Sequence, residues 1–372
     1  MGSYHARLLL EGRVPRATLT AVADVDAAQL ARHATVRGFA DSRELIRSGL
    51  VDAVLIATPH YAHTTIGCDA LQQGLHVLTE KPVSVHKADC ERLVAAHTNP
   101  RQVFAAMLNQ RTNPAYRQIR EWVHTGALGE LRRINWTITD WFRTDAYYAS
   151  GGWRATWAGE GGGVLLNQAT HNLDLWQWLF GMPVRVRAVC GFGRYHTIEV
   201  EDDVTAVLEY ANGATGVFVT TTGEAPGTNR LEVVGDLGRV VHTGDQLVFT
   251  RNTVSTTDFL RQSSKHYELP PHTEQAFSFP NPGGQHLEVL QNFVAAILDG
   301  TPLIAPAVTG GGAVELANAM IWSASRGAAI ALPLDAAGYE QHLQQRRKTS
   351  RFTKPPARKQ HDEVAPYLVK EN

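Results

Sequence analysis

Leu75-His76-Val77-Leu78-Thr79-Glu80-Lys81-Pro82 is the stretch on which the reading of this chain turns. A short strand-forming run ends in a charged pair and then a proline, which has no N–H to donate to a ladder and so closes the strand. Upstream, Val51 to Ala57 is a continuous apolar run ending in Thr58-Pro59, the composition of a central strand covered on both faces. Leu19 to Ala23, ending at Asp24, and Val103 to Leu108 are further runs of this kind. Helix-like stretches separate them: one opened by Asp26, one by Asp41-x-x-Glu44 with its capping glutamate, one running to Gly74, and one over Lys87 to His97. Strands alternating with helices predict an α/β domain with a parallel, doubly wound sheet. Ligands of such sheets lie at the carboxyl ends of the strands, where Lys81 falls.

After about residue 125 the rhythm changes. Leu131 to Phe142, Val184 to Tyr195, Val204 to Tyr210, Thr215 to Thr222 and Leu231 to Val234 read as longer strands, with Asn212-Gly213 as a hairpin turn between two of them. Helices are predicted over His286 to Leu298 and Ala313 to Ser323. The division expected is 1–125 for the first domain, 126–334 for an α+β domain with a large, mostly antiparallel open sheet, and 335–372 for a polar basic tail. That tail carries Arg346, Arg347, Lys348, Arg351, Lys354, Arg358 and Lys359 with little aromatic interleaving, and is read as a solvated or partner-packing segment.

At 372 residues the chain exceeds one ordinary core. Hydrophobic residues make up 44% and charged residues 19%, as in a soluble globular protein. Lys plus Arg is 35 and Asp plus Glu is 36, so no global field draws nucleic acid or anionic lipid. No apolar run approaches the roughly 20 residues that span a bilayer. Cys68, Cys90 and Cys190 are odd in number and widely spaced, which fits a reducing, cytoplasmic setting rather than a disulfide framework. His196 and the scattered His and Asp residues show no metal-ligand spacing, so no metal is expected.

Met1-Gly2-Ser3-Tyr4-His5-Ala6-Arg7-Leu8-Leu9 reads as the last glycine of a GxGxxG fingerprint followed by the first helix of a dinucleotide-binding (Rossmann-type) fold. There the backbone approaches a pyrophosphate that sits at the positive end of the helix, which makes Gly2, Ser3 and Tyr4 candidate cofactor contacts. Asp24 ends the next strand roughly 20 residues on, where an acidic side chain takes the ribose hydroxyls; a carboxylate there repels a 2′-phosphate and favours NAD over NADP. Only the final glycine of the fingerprint is present. The reading therefore expects on the order of 10 further residues upstream of Met1 in the natural product, a strand and two glycines, which an intact mass of the native protein tests.

Gly161-Gly162-Gly163 leads into a helix-like stretch on which Asn167, His171, Asp174 and Trp178, at steps of four, three and four, share one face. A lysine past a buried strand and a histidine on a distant helix suit alcohol oxidation by a nicotinamide: one group removes the hydroxyl proton and the other holds the developing oxyanion. Tyr147, Trp153, Arg154 and Trp157 cluster before the glycines, and aromatic faces with a guanidinium suit a sugar ring. Trp176 and Trp178 are read as core, and Asp174 stands equally for substrate contact or for support.

Taken together with Ala57-Thr58-Pro59 and His63, Asn109-Gln110-Arg111 before Asn113-Pro114, and Gly126-x-Leu128-Gly129, these motifs resemble the Gfo/Idh/MocA oxidoreductase family, that of glucose-fructose oxidoreductase and inositol dehydrogenase. The likeness runs from Met1 to about Leu334. The resemblance implies NAD or NADP at the strand ends of the first domain. Ala57, Thr58, Pro59, His63, Lys81, Asn109 and Arg154 join Gly2, Ser3, Tyr4 and Asp24 as candidate cofactor contacts, with Glu80 either among them or steadying Lys81, and Tyr147, Trp157 and Asp174, the last equally a support, are candidate substrate contacts. It implies Lys81 as active-site lysine and His171 as catalytic base titrating near working pH, with a cis peptide before Pro82. Asn167 stands where many members have aspartate; an amide orients but cannot share a proton. The expected activity is hydride transfer between a secondary alcohol of a sugar, anhydrosugar or cyclitol and the nicotinamide, by a homodimer or homotetramer. Two alternatives stay open: a tightly bound dinucleotide used for transient oxidation in glycosidic cleavage or elimination, and a non-enzymatic dinucleotide-sensing regulator.

Overall fold

A computed structural model describes residues 1–354. In the first half, β1 (Ala21–Ala23) pairs in parallel with β2 (Arg37–Phe39), and β3 (Ala53–Ile56), β4 (His76–Thr79) and β5 (Phe104–Ala106) form a second parallel ladder. Around them pack α1 (Gly2–Leu10), α2 (Ala27–Ala31), α3 (Ser42–Ile46), α4 (His60–Gln72) and α5 (Lys87–Ala96). Asp26 and Asp41 cap α2 and α3 by accepting the backbone N–H of Ala28 and Arg43, as their positions in the sequence predict. The register sets Ile56 beside Thr79 and Thr79 beside Ala106. Consequently Thr58, Lys81 and Asn109 all leave the ladder at its carboxyl end.

A 3-10 turn (Asn109–Thr112) and α6 (Pro114–His124) carry the chain into the second half. Its strands are β6 (Leu131–Ile138), β7 (Arg185–Phe192), β8 (Glu201–Glu209), β9 (Thr215–Thr221), β10 (Asn229–Gly235), β11 (Gly238–Thr243), β12 (Gln246–Asn252), β13 (His272–Ser278) and β14 (Ile330–Ala331). They form one sheet in the order β13-β12-β11-β10-β6-β9-β8-β7-β14, in which β6 and β9 are parallel and all other neighbours antiparallel. The helices are α7 (Asp145–Ala149), α8 (Thr170–Phe180), α9 (Thr256–Gln262), α10 (Gln285–Asp299), α11 (Gly311–Arg326) and α12 (Ala336–Thr349). Strands β11 to β13 go beyond the sequence reading. β11 places His242 at an inward position where alternation calls for an apolar residue, and β13 is exposed at all but one of its positions.

The polar stretch after Leu334 is corrected through Thr349: it is helix α12, with Tyr339 and Leu343 buried and Tyr339 edge-on to Trp322 of α11. Arg358 and Lys359 lie outside the described residues. One apolar core joins the halves, running from Val83, Val85 and Leu93 through Leu165 and Leu166 to Ile321. Among the described residues no helix is long and apolar enough to cross a membrane.

Candidate active site

Strand β4 delivers Glu80 and Lys81 to this seam. The Glu80 N–H continues the ladder to Ile56 O at 2.8 Å, and the Lys81–Pro82 peptide is cis, as the resemblance implies. Glu80 is buried, with Oε1 2.6 Å from His5 Nε2 and Oε2 accepting the Lys81 N–H at 3.2 Å. Burial opposes its charge, but His5, His286 and Lys81 hold its pKa down at about 2. The hydrogen bond that it accepts from the Lys81 N–H braces the lysine's backbone. Lys81 Nζ donates to Asn167 O at 2.7 Å and to Asn167 Oδ1 at 3.3 Å. Burial lowers the lysine's pKa to about 8; Glu80 and Glu160 work against that shift, Arg154 and Arg143 with it.

The triple glycine brings Asn167 to that lysine. A Cβ on Gly161, whose φ is +80°, would stand 2.1 Å from Val85 Cγ1, and one on Gly163 would stand 2.0 Å from Glu201 O. The turn is thus wedged between the segment after Pro82 and the start of β8. Val164 N–H donates to Glu201 O at 2.9 Å, and Gly163 N–H to Glu201 Oε1 at 2.8 Å. Burial raises the Glu201 carboxyl to about 7 despite these donors.

Asn167 lies in the turn ahead of α8 and not on the helix, correcting the four-residue face; His171, Asp174 and Trp178 are on it. The Asn167 amide nitrogen donates to Glu160 Oε1 and, at 3.3 Å, to Tyr147 Oη, which also receives Arg154 at 3.0 Å and Gln168 at 3.0 Å. The Arg154 guanidinium stacks on the Tyr147 and Trp153 rings at 4.9 and 4.6 Å. Lys354 reaches back to this loop, its Nζ donating to the carbonyls of Gly151 and, at 3.0 Å, Arg154. His171 departs from expectation: burial, with the charge of Lys81 adding, pushes its pKa down to about 3, so it does not titrate near working pH.

The same edge suits a dinucleotide. A Cβ on Gly2 would sit 3.6 Å from Ala57 Cβ, so the start of α1 abuts the end of β3. In the first helical turn the N–H groups of Gly2 and Ser3 have no carbonyl a turn earlier to meet, and they favour an anion. Asp24 is exposed past β1 with Oδ1 taking the Asp26 N–H at 2.8 Å; Ser3 Oγ lies 3.4 Å from His33 Nε2, and the Tyr4 ring stands edge-on to His286. Thr58 Oγ1, Asn109 Oδ1 and His171 Nδ1 are buried with no hydrogen-bond partner among the described residues. Orphaned polar atoms at the strand ends fit a polar ligand there.

Other expected contacts are redirected. His63 is fully buried between Pro82 O and Thr58 O, each 2.8 Å from a ring nitrogen, so it fastens the loops after β3 and β4 to each other. Trp157, 3% exposed, packs on Phe192 beneath the Arg346 guanidinium and is core rather than substrate-facing. Asp174 is occupied by Arg111 through two hydrogen bonds, which makes it support. Asn109 donates to Gln285 at 2.7 Å. Sequence reasoning passed over His5, Glu160, Gln168, Glu201 and His286. Only Glu160 had a signal, its place immediately before the glycines. Among the described residues no group of three or more His, Cys, Asp or Glu could hold a metal ion.

Residues 1–106 match the oxidoreductase family model with its NAD-binding Rossmann fold, and residues 116–241 match the GFO/IDH/MocA C-terminal domain. The chain belongs to the GFO/IDH/MocA oxidoreductase family. Its first half is therefore an NAD-binding domain. The chain is 30% identical to the trans-1,2-dihydrobenzene-1,2-diol dehydrogenase of Bos taurus over 261 residues, 69% of this chain and 72% of that protein. To the myo-inositol 2-dehydrogenase of Thermotoga maritima it is 24% identical over 322 residues, 83% and 88%. To the levoglucosan dehydrogenase of Pseudarthrobacter phenanthrenivorans it is 27% identical, across 54% of this chain but only 57% of that enzyme. The WlbA dehydrogenase of Bordetella pertussis, solved with NADH and UDP-GlcNAcA, superposes with a TM-score of 0.73 at 25% identity over 90% of this chain and 96% of that one.

Proposed function

We infer that the protein is an NAD-dependent dehydrogenase that oxidises a secondary alcohol of a sugar, anhydrosugar or cyclitol. One observation carries this reading: Lys81 Nζ, with its pKa lowered by burial to about 8, stands 2.7 Å from the turn that leads to His171, at the strand ends of an NAD-binding fold. The names of the relatives, dehydrogenases of inositol, levoglucosan and a dihydrodiol, support the substrate class.

Gly2, Ser3, Asp24 and the segment Ala57–Pro59 would hold the dinucleotide, which accepts the hydride when bound. Neutral Lys81 takes the hydroxyl proton, and the ammonium so formed faces the carbonyl oxygen as charge shifts. His171 stays uncharged and orients the hydroxyl by hydrogen bonding. Arg154 and Tyr147 border the space beside Asn167. The three free thiols fit a reducing cytoplasm, and exposed Val189 and Val207 on the outer face of β7 and β8 favour self-association through that sheet.

NADH formation over a panel of sugars, anhydrosugars and cyclitols tests the reading. Lys81→Ala should lower turnover by about 10²- to 10⁴-fold while NAD binding stays measurable by calorimetry. Near-normal turnover in that variant overturns the assignment.

A further inference from the structure

Glu160 has so far no task. It is 1% exposed, directly before the triple glycine, with Oε2 accepting the Ala155 N–H at 2.7 Å and Oε1 accepting from Asn167 Nδ2. The opposite end of that amide, Oδ1, lies 3.3 Å from Lys81 Nζ. An ionised carboxylate only accepts, whereas an amide has a donor end and an acceptor end. Burial raises the Glu160 pKa, but the Ala155 N–H, Arg154, Asn167 and Lys81 favour its charged form, and as a carboxylate it decides which way round Asn167 stands. With the NH₂ turned to Glu160, the amide oxygen must face the lysine. Tyr147 Oη, also against Nδ2, cannot impose this, since a hydroxyl serves either role.

The geometry points to Glu160 as the positioning residue of Lys81: it turns the Asn167 amide oxygen to Nζ, beside the Asn167 main-chain carbonyl that Nζ already meets, so that both Asn167 oxygens take an Nζ hydrogen and the third position on Nζ is left for a substrate oxygen. This rests on Lys81 being the reacting group. It also resolves the departure at position 167, because the negative charge that an aspartate would set against the lysine is supplied one side chain away. Lys81 is faced by Glu80 from its own segment, by Arg143 and Arg154 from the loop around α7, by His171 from α8, by His60 and His63 from α4, and by the amino group of Met1. Glu160 differs from these in acting through an orientable amide.

Glu160→Gln is the test. The glutamine keeps size and retains an oxygen for the Ala155 N–H, but its NH₂ then meets Asn167 Nδ2, and Asn167 turns over and presents its own NH₂ to Lys81. In apo protein carrying ¹³Cε-labelled lysine, the Lys81 resonance (assigned by its absence from Lys81→Ala) should titrate about 1 pH unit lower. The kcat for alcohol oxidation should fall roughly 10²-fold, with KM for NAD unchanged. Glu160→Gln combined with Asn167→Asp returns the carboxylate to the lysine and should restore both the titration and kcat to within about 3-fold. An unaltered Lys81 titration in Glu160→Gln overturns the proposal, as does a loss of kcat that the double variant leaves in place. Full turnover by Lys81→Ala would instead defeat the catalytic reading, while the apo titration would still report on Glu160.

Discussion

Arg111 and Asp174 meet in the interior through two side-chain hydrogen bonds of 2.8 and 2.6 Å, and each residue is only 1% exposed. Arg111 comes from the turn after β5 and Asp174 from α8, so the pair ties the dinucleotide half to the helix that carries His171. Removing one member of a buried pair leaves the other charged and unsatisfied. Asp174→Ala should lose about 3–5 kcal/mol in urea unfolding, with α8 loosened. A loss below about 1 kcal/mol would mean that water already reaches the pair.

The lysine and the histidine give different pH profiles. Lys81 has its pKa depressed from 10.5 to about 8, so its neutral, proton-accepting form grows as pH rises through that value. Alcohol oxidation should climb with pH and level off above about 8, and reduction of the ketone should decline over the same range. His171, held at about 3, stays neutral throughout and adds no inflection near neutrality. A limb near pH 6.5 that vanishes in His171→Asn would return the base role to the histidine.

Gly163→Ala isolates the wedge of the glycine turn. The added methyl would meet Glu201 O at 2.0 Å, a backbone atom that cannot swing aside. The variant should lose about 1–3 kcal/mol, or hold its fold only by withdrawing Asn167 from Lys81 and losing turnover. Wild-type stability with wild-type turnover would show that the turn has slack.

Asp24 should govern cofactor choice. Its exposed carboxylate follows β1 where the adenosine ribose of a Rossmann ligand lies. Asp24→Ser should weaken NAD by about 10-fold or more and narrow the preference over NADP, both measurable as dissociation constants. Equal loss for both dinucleotides would place the carboxylate away from the ribose.

Lys81 was legible because proline and charge punctuate the end of β4, and Asp26 and Asp41 because their caps are local. The spacing sets Asn167 on the helix because a turn running into a helix keeps the same four-residue step, and Ala169 at the N-cap offers no side-chain signal. Asp174 stayed ambiguous because its partner lies 63 residues away. The lowered pKa of His171 has no sequence signal, since burial is a property of the packed molecule. Glu160 was visible as a letter, but its meaning needs the Asn167 amide between it and Lys81.

The Lys354 contact has a consequence in time. Its amine caps carbonyls 203 and 200 residues earlier, at Gly151 and Arg154. Contacts of such long sequence separation form late, because a large loop must close before they are rewarded. The loop bearing Tyr147 and Arg154 is made long before the segment after α12 that supplies this amine. On refolding, recovery of turnover should trail the burial of Trp136 and Trp176, because the segment that fastens this loop lies two hundred residues beyond it.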